Sequence, residues 1–132
     1  LIMNILIINF LIALKNASIL KKEIVRFFFN KKFILILKVL YNKGLIQDFW
    51  LEKQHYNNLK IVIALKSTLS YSSLATLKIV SKPSNSLFFS YKDLCKLYEK
   101  QMLYIFSTAI GYLSSVECKK YRLGGLLVFY VK

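Results

Sequence analysis

The sequence predicts an α+β fold in two small domains. An N-terminal α-β-α-β-β layer covers 1–68, and a C-terminal, mostly β domain with short helices covers 69–132. Three observations carry this. Phe33, Ile36, Leu37 and Leu40 fall at helical spacing and make one apolar stripe. Leu59, Ile61, Ile63 and Leu65 alternate with other residues and so share one face of a strand. After the Ser-rich stretch Ser67–Ser73, short β-branched and aromatic runs are separated by turn residues.

Taken in order, 1–14 is the first element and reads as a buried helix. Fourteen helical residues reach about 21 Å, short of the roughly 30 Å hydrocarbon core of a bilayer. Asn4 and Asn9 interrupt the segment and no cationic stretch precedes it, which also argues against a signal peptide. Val25–Phe29 is a strand. Asn30 caps a helix over Lys31–Lys43, with Gly44 just past its end. Leu45–Glu52 is a strand, His55–Asn58 a turn, and Leu59–Lys66 the returning strand, so helices pack on a small antiparallel sheet. In the second half Leu74–Val80 is a strand leading into the Ser81-Lys82-Pro83-Ser84 turn. Leu87–Phe89 is strand-like, Asp93–Lys100 a short helix, and Met102–Phe106 a strand followed by a tight turn over Ser107–Gly111. Ser114-Ser115-Val116-Glu117 fits a capping box at a helix start. Tyr121–Gly125 is a loop and Leu126–Val131 the closing strand.

The chain has 132 residues, with 20 Lys or Arg against 6 Asp or Glu and a net charge of +14. With 15% aromatics interleaved, this is the footprint of a nucleic-acid partner, because cations that neutralise phosphates release counterions. A small basic membrane-associated protein is the alternative reading of the same charge. At 56% hydrophobic residues the chain is too apolar for a disordered basic tail. Two small domains cannot bury that much apolar surface, so neighbouring proteins are expected to cover some of it. Phe27-Phe28-Phe29, Phe88-Phe89, Phe129-Tyr130 and Trp50 read as packing residues before they read as base-stacking platforms.

Catalysis has little to draw on. One His and six acids leave few groups for proton transfer or metal binding. His55 lies near Asp48 and Glu52, but a solvated His in a hairpin turn is the ordinary reading. There is no nucleophile elbow, phosphate loop or metal-ligand spacing. No catalytic residue, metal, cofactor or small-molecule substrate is expected. Cys95 and Cys118 form no CxxC and are expected to be two small buried thiols in a reducing compartment. The basic residues are 18 Lys against 2 Arg, alongside abundant Ile, Phe, Asn and Tyr. AT-rich codons write such a composition, which points to an organellar genome.

The most informative stretch is Ser107–Gly125. Ser107 and Thr108 sit in a turn ended by Gly111. A capped helix start, the cations Lys119, Lys120 and Arg122, and the pair Gly124-Gly125 follow. Hydroxyls and backbone N–H groups at such a turn suit phosphate and sugar oxygens. Glycines, having no Cβ, admit a close backbone approach.

Residues Met102–Lys119 resemble the signature of small-subunit ribosomal protein eight, bacterial type, through Ile105, Ser107, Thr108, Gly111, Leu113 and Lys119. The resemblance runs on through Gly124-Gly125 and back through Ser81-Lys82-Pro83. Leu14-Lys15-Asn16-Ala17, Lys31, Val39-Leu40 and Gly44-Leu45-Ile46-Gln47-Asp48-Phe49 extend it over almost the whole chain. It implies a structural rRNA-binding protein of the small subunit, docked on a helix of the central rRNA domain chiefly through its C-terminal domain and flanked by neighbouring ribosomal proteins. It also implies RNA contacts at Ser107, Thr108, Gly111, Gly124 and Gly125, with Lys82 beside them. Lys119, Lys120 and Arg122 complete the expected surface. Together with the codon signature, the expected setting is a mitochondrial ribosome, with a plastid one as the second choice. The chain departs from the family pattern at Ala109, Ile110 and Leu126, which remove polar groups, at Ser84 and Lys100-Gln101-Met102, which replace glycine-bearing turns, and at Cys118, which takes an Ala position.

Overall fold

A computed structural model of the chain describes residues 5–65, 73–82, 84–97 and 102–132. The fold is mixed α+β, as the patterns predict. It divides into two compact units, Ile12–Ala75 and Thr76–Lys132 together with the chain up to Leu11. Most of the Ser-rich stretch expected at the domain boundary lies outside the described residues, as do Pro83 and the end of the predicted 93–100 helix.

The first helix, α1 (Ile5–Ile19), runs one turn further than the predicted 1–14. The reason is its buried stripe: Ile7, Phe10, Leu11 and Leu14 continue into Ala17 and Ser18 on the same side. It ends at Lys21, whose left-handed backbone (φ 57°) lets the Lys22 N–H reach the Ala17 carbonyl at 3.0 Å. Among the described residues no helix is long and apolar enough to cross a membrane.

In the unit Ile12–Ala75, β1 (Ile24–Phe28), α2 (Lys31–Asn42), β2 (Asp48–Lys53) and β3 (Leu59–Ala64) follow one another. Asn30 caps α2 as expected, its side-chain oxygen accepting from the Lys32 N–H at 2.9 Å. The predicted stripe Phe33, Ile36, Leu37 and Leu40 is the buried face. Gly44 (φ 74°) closes the helix, and the Leu45 N–H bonds to the Leu40 carbonyl at 2.9 Å. That exit consumes Leu45–Gln47, so β2 starts at Asp48 rather than at Leu45. The sheet is antiparallel in the order β1-β3-β2. Because β3 is central, Ile61, Val62 and Ile63 are all buried instead of alternating. Trp50, expected inside, is 43% exposed on the edge strand β2. Phe28 and Phe29 are exposed too, although the Phe28 ring leans on Phe33 with centroids 5.3 Å apart.

The predicted 74–80 strand is a 3-10 turn (Ser73–Thr76), which spans the boundary between the units, followed in the other unit by the short β4 (Lys78–Ile79). Leu74 and Leu77 are both buried, a spacing of three that suits the turn and not a strand. Next come β5 (Phe88–Phe89), α3 (Tyr91–Cys95), β6 (Leu103–Thr108), β7 (Gly111–Ser114), α4 (Ser115–Tyr121) and β8 (Gly125–Val131). The sheet order is β4-β8-β6-β7, with β5 also paired to β8. Helix α3 starts two residues before the predicted Asp93 because Ser90 and Asp93 form a complete capping box. Leu94, Phe106, Cys118 and Leu127 form one buried cluster, with Phe89, Leu113 and other half-buried side chains around it. Cys118 is therefore buried as expected. Cys95 is exposed, because α3 turns Leu94 inward and its last residue outward.

Candidate nucleic-acid interface

Ser107 and Thr108 are not in the turn itself. They are the last residues of β6, and the turn is Ala109-Ile110, with Thr108 paired to Gly111. Neither Ala109 nor Ile110 adopts positive φ, so the reversal falls on Gly111 at φ 124°. The Thr108 hydroxyl donates to the Gly111 carbonyl at 2.7 Å and is 4% exposed. It fastens the hairpin, while Ser107, half-buried, is the more open hydroxyl of the two.

Gly124 and Gly125 come directly beside this hairpin. A Cβ on Gly125 would stand 2.9 Å from both the Ser107 carbonyl oxygen and Thr108 Cγ2. One on Gly124 would stand 2.7 Å from the Phe89 carbonyl oxygen. The close approach that the sequence assigned to RNA is thus already used by the chain's own strands. The glycine pair is what lets β8 pack between β5 and β6.

Helix α4 leads into the same edge. The Ser114 hydroxyl accepts from the Glu117 N–H at 3.4 Å, which is the serine half of the predicted capping box. At the other end Arg122 takes left-handed backbone (φ 55°), and the Leu123 N–H returns to the Cys118 carbonyl at 2.9 Å. This exit turns the chain into Gly124 and leaves Arg122 exposed at the corner. Lys120 is exposed, its Nζ 5.8 Å from the Tyr121 ring centroid, and Lys119 is half-buried.

Lys82 is exposed in a turn in which its N–H and carbonyl both pair with Asn85 at 3.0 Å. Sequence reasoning passed over the residue that anchors this turn, the fully buried Ser81. Its hydroxyl donates to the Leu127 carbonyl on β8 and accepts from the Leu87 N–H at 3.1 Å. A Ser beside a Pro turn was visible, but not its partner 46 residues away. The structure thus gathers Ser107, Thr108, Gly111, Gly124 and Gly125 on one edge, with Arg122 leading into it and Lys82 tied to β8.

The pattern of ribosomal protein S8 matches residues 6–131. Small ribosomal subunit protein uS8 of Mesomycoplasma hyopneumoniae (strain 7448) is 30% identical over 125 residues, covering 95% of this chain and 94% of that protein. Small ribosomal subunit protein uS8c of Gracilaria tenuistipitata var. liui is 32% identical over 127 residues, covering 95% and 96%. The uS8 protein of Wolbachia pipientis wMel is 30% identical over 118 residues, covering 89% and 88%. With a family pattern spanning nearly every residue and the Ser-Thr hairpin lying against the Gly-Gly strand, the chain belongs to the ribosomal protein S8 family.

Proposed function

We propose that the edge formed by the β6–β7 hairpin, Gly124-Gly125 and the end of α4 is the face that docks on a helix of the central domain of small-subunit rRNA. As an S8-family protein the chain is a structural component of the small ribosomal subunit, in contact with rRNA and neighbouring ribosomal proteins, and not an enzyme. The observation that carries the docking face is the packing of β8 at Gly125 against the end of β6, too close to admit a Cβ, which brings the half-buried Ser107 and the exposed corner cation Arg122 to one edge. Lys82, Lys119 and Lys120 add charge to the same unit, and the chain's +14 draws it to phosphate. The lysine-dominated composition supports a mitochondrial ribosome first and a plastid one second.

The test is Arg122→Gly in a filter-binding titration against the central domain of the rRNA. Glycine relieves the left-handed backbone at the helix exit, so the fold keeps or gains stability. The variant is expected to bind more weakly at every salt concentration and to lower the log–log salt slope by about 1. Affinity and slope equal to the parent's would overturn this edge as the docking face. Gly124→Asp is a poor probe, because its Cβ would meet the Phe89 carbonyl oxygen at 2.7 Å and disturb the sheet first.

A further inference from the structure

Among the described residues, three other than glycine hold left-handed backbone: Lys21, Tyr56 and Arg122. Lys21 and Arg122 each end a helix, and the hydrogen bonds of those helix exits offset the strain. Tyr56 (φ 63°, ψ 33°) has no such role. It sits in the connection between β2 and β3, which the Gln54 N–H closes on the Asn58 carbonyl at 2.7 Å. Left-handed backbone costs a side-chain-bearing residue roughly 1–2 kcal/mol. Burial returns nothing here, because Tyr56 is 98% exposed. Strained backbone clusters at functional sites, and here it carries an exposed aromatic at a hairpin tip.

The surroundings say which kind of site. Tyr56 borders an open concavity of about 860 Å³ whose other walls are Glu52, Lys53, Gln54, His55 and Asn58. None of these is aliphatic; the nearest exposed aliphatic side chains, Leu51 and Leu59, belong to the flanking strands and not to the walls of the concavity. Glu52 is the one acid, and its carboxylate already lies 3.5 Å from Arg26 Nε. Lys60 stands opposite Glu52 in the register, one step back from the tip. What remains is one bare ring, two amides, an imidazole and cations. An unpaired nucleotide asks for that combination: a face to stack on, hydrogen-bonding groups at the base edge, and positive charge by the phosphate.

We infer that the β2–β3 tip is a second rRNA contact, in the unit Ile12–Ala75, where Tyr56 stacks on an unpaired base of small-subunit rRNA. Gln54 and Asn58 are placed for its edge and Lys53 for the adjoining phosphate. The inference rests on the reading of the chain as an rRNA-binding protein, and it adds a contact remote in sequence from the Ser107–Gly125 edge.

The test uses the full chain and complete small-subunit rRNA transcribed from the source organism's gene. Tyr56→Gly relieves the backbone, so its melting temperature should equal or exceed the parent's. Its affinity for the rRNA should nevertheless drop roughly tenfold, the loss expected for one stacked base. Tyr56→Phe keeps the ring and should keep the affinity. In reconstituted small-subunit particles, ultraviolet cross-linking should place a nucleotide on the peptide containing Tyr56. Parental affinity in Tyr56→Gly, or a Tyr56 cross-link to a neighbouring protein instead of RNA, overturns the inference. Arg122→Gly in the same titration separates the two readings. If it weakens binding and Tyr56→Gly does not, only the tip contact fails. If neither does, the docking edge fails with it.

Discussion

Gly125 shows how little room single residues have at this edge. A methyl there would sit 2.9 Å from a backbone oxygen and from a neighbouring methyl, with Phe106 Cβ at 3.3 Å. Gly125→Ala should therefore destabilise the fold by about 1–3 kcal/mol, the usual cost of overpacking, read as a lower midpoint in urea. An unchanged midpoint would mean that β8 can move away from β6. Cys118 makes a different prediction. Burial, reinforced by the Glu117 carboxylate, pushes its thiol up to about 11 from the usual 9.0. Between those values the unfolded chain has lost a proton that the native state keeps. Stability therefore falls as pH rises through that window, and is unaffected by this group below it. Burial raises Tyr112 as well, in the same direction at higher pH. Cys118→Ala should flatten the decline in melting temperature from pH 9 to 11. Alkylation of the native protein at pH 8 should label the exposed Cys95 and spare Cys118. Equal labelling of both would contradict the packing of α4.

Elements were legible where their signals were local. The Asn30 cap, the Phe33–Leu40 stripe and the Gly44 exit lie within fifteen residues and define α2 almost to its ends. The Ser114 cap did the same for α4. The equivalent Ser90–Asp93 box starts α3 two residues before the Asp93 that the sequence pattern predicts. Strand β7, only four residues between a hairpin and a cap, leaves too short a pattern to read. Central strands defeat alternation: β3 and β8, each flanked by strands on either side, bury consecutive residues. The Ser107–Gly125 region was visible as a motif, but what its glycines touch depends on β5 and β6, far away in sequence. Ser81 is the clearest such case. Ser81→Ala strips a hydrogen bond from the Leu127 carbonyl and another from the Leu87 N–H. It should cost about 1–3 kcal/mol, the range for buried polar groups left unpaired. It should also speed amide exchange at Leu87. Unaltered exchange and stability would show that the Lys82 turn holds without its anchor.

At the scale of the whole chain, charge and apolarity are separate messages. The +14 was readable from composition alone and points to RNA. The apolar excess was readable too, but its placement was not. It emerges on α1 at Ile5, Ile12 and Ile19, and on the three-stranded sheet at Ile24, Phe28 and Trp50. Large apolar side chains left outside belong against other components of a particle, as befits a small-subunit protein with protein neighbours. The central claim is that the C-terminal edge holds rRNA through hydroxyl, backbone and a handful of cations. Its most direct test is retention of the rRNA central domain by the folded chain across a series of salt concentrations. With Lys82, Lys119, Lys120 and Arg122 at phosphates, the log–log plot should fall with a slope of roughly −3 to −4. RNA that passes through unbound at low ionic strength, or a binding constant indifferent to salt, would contradict the account.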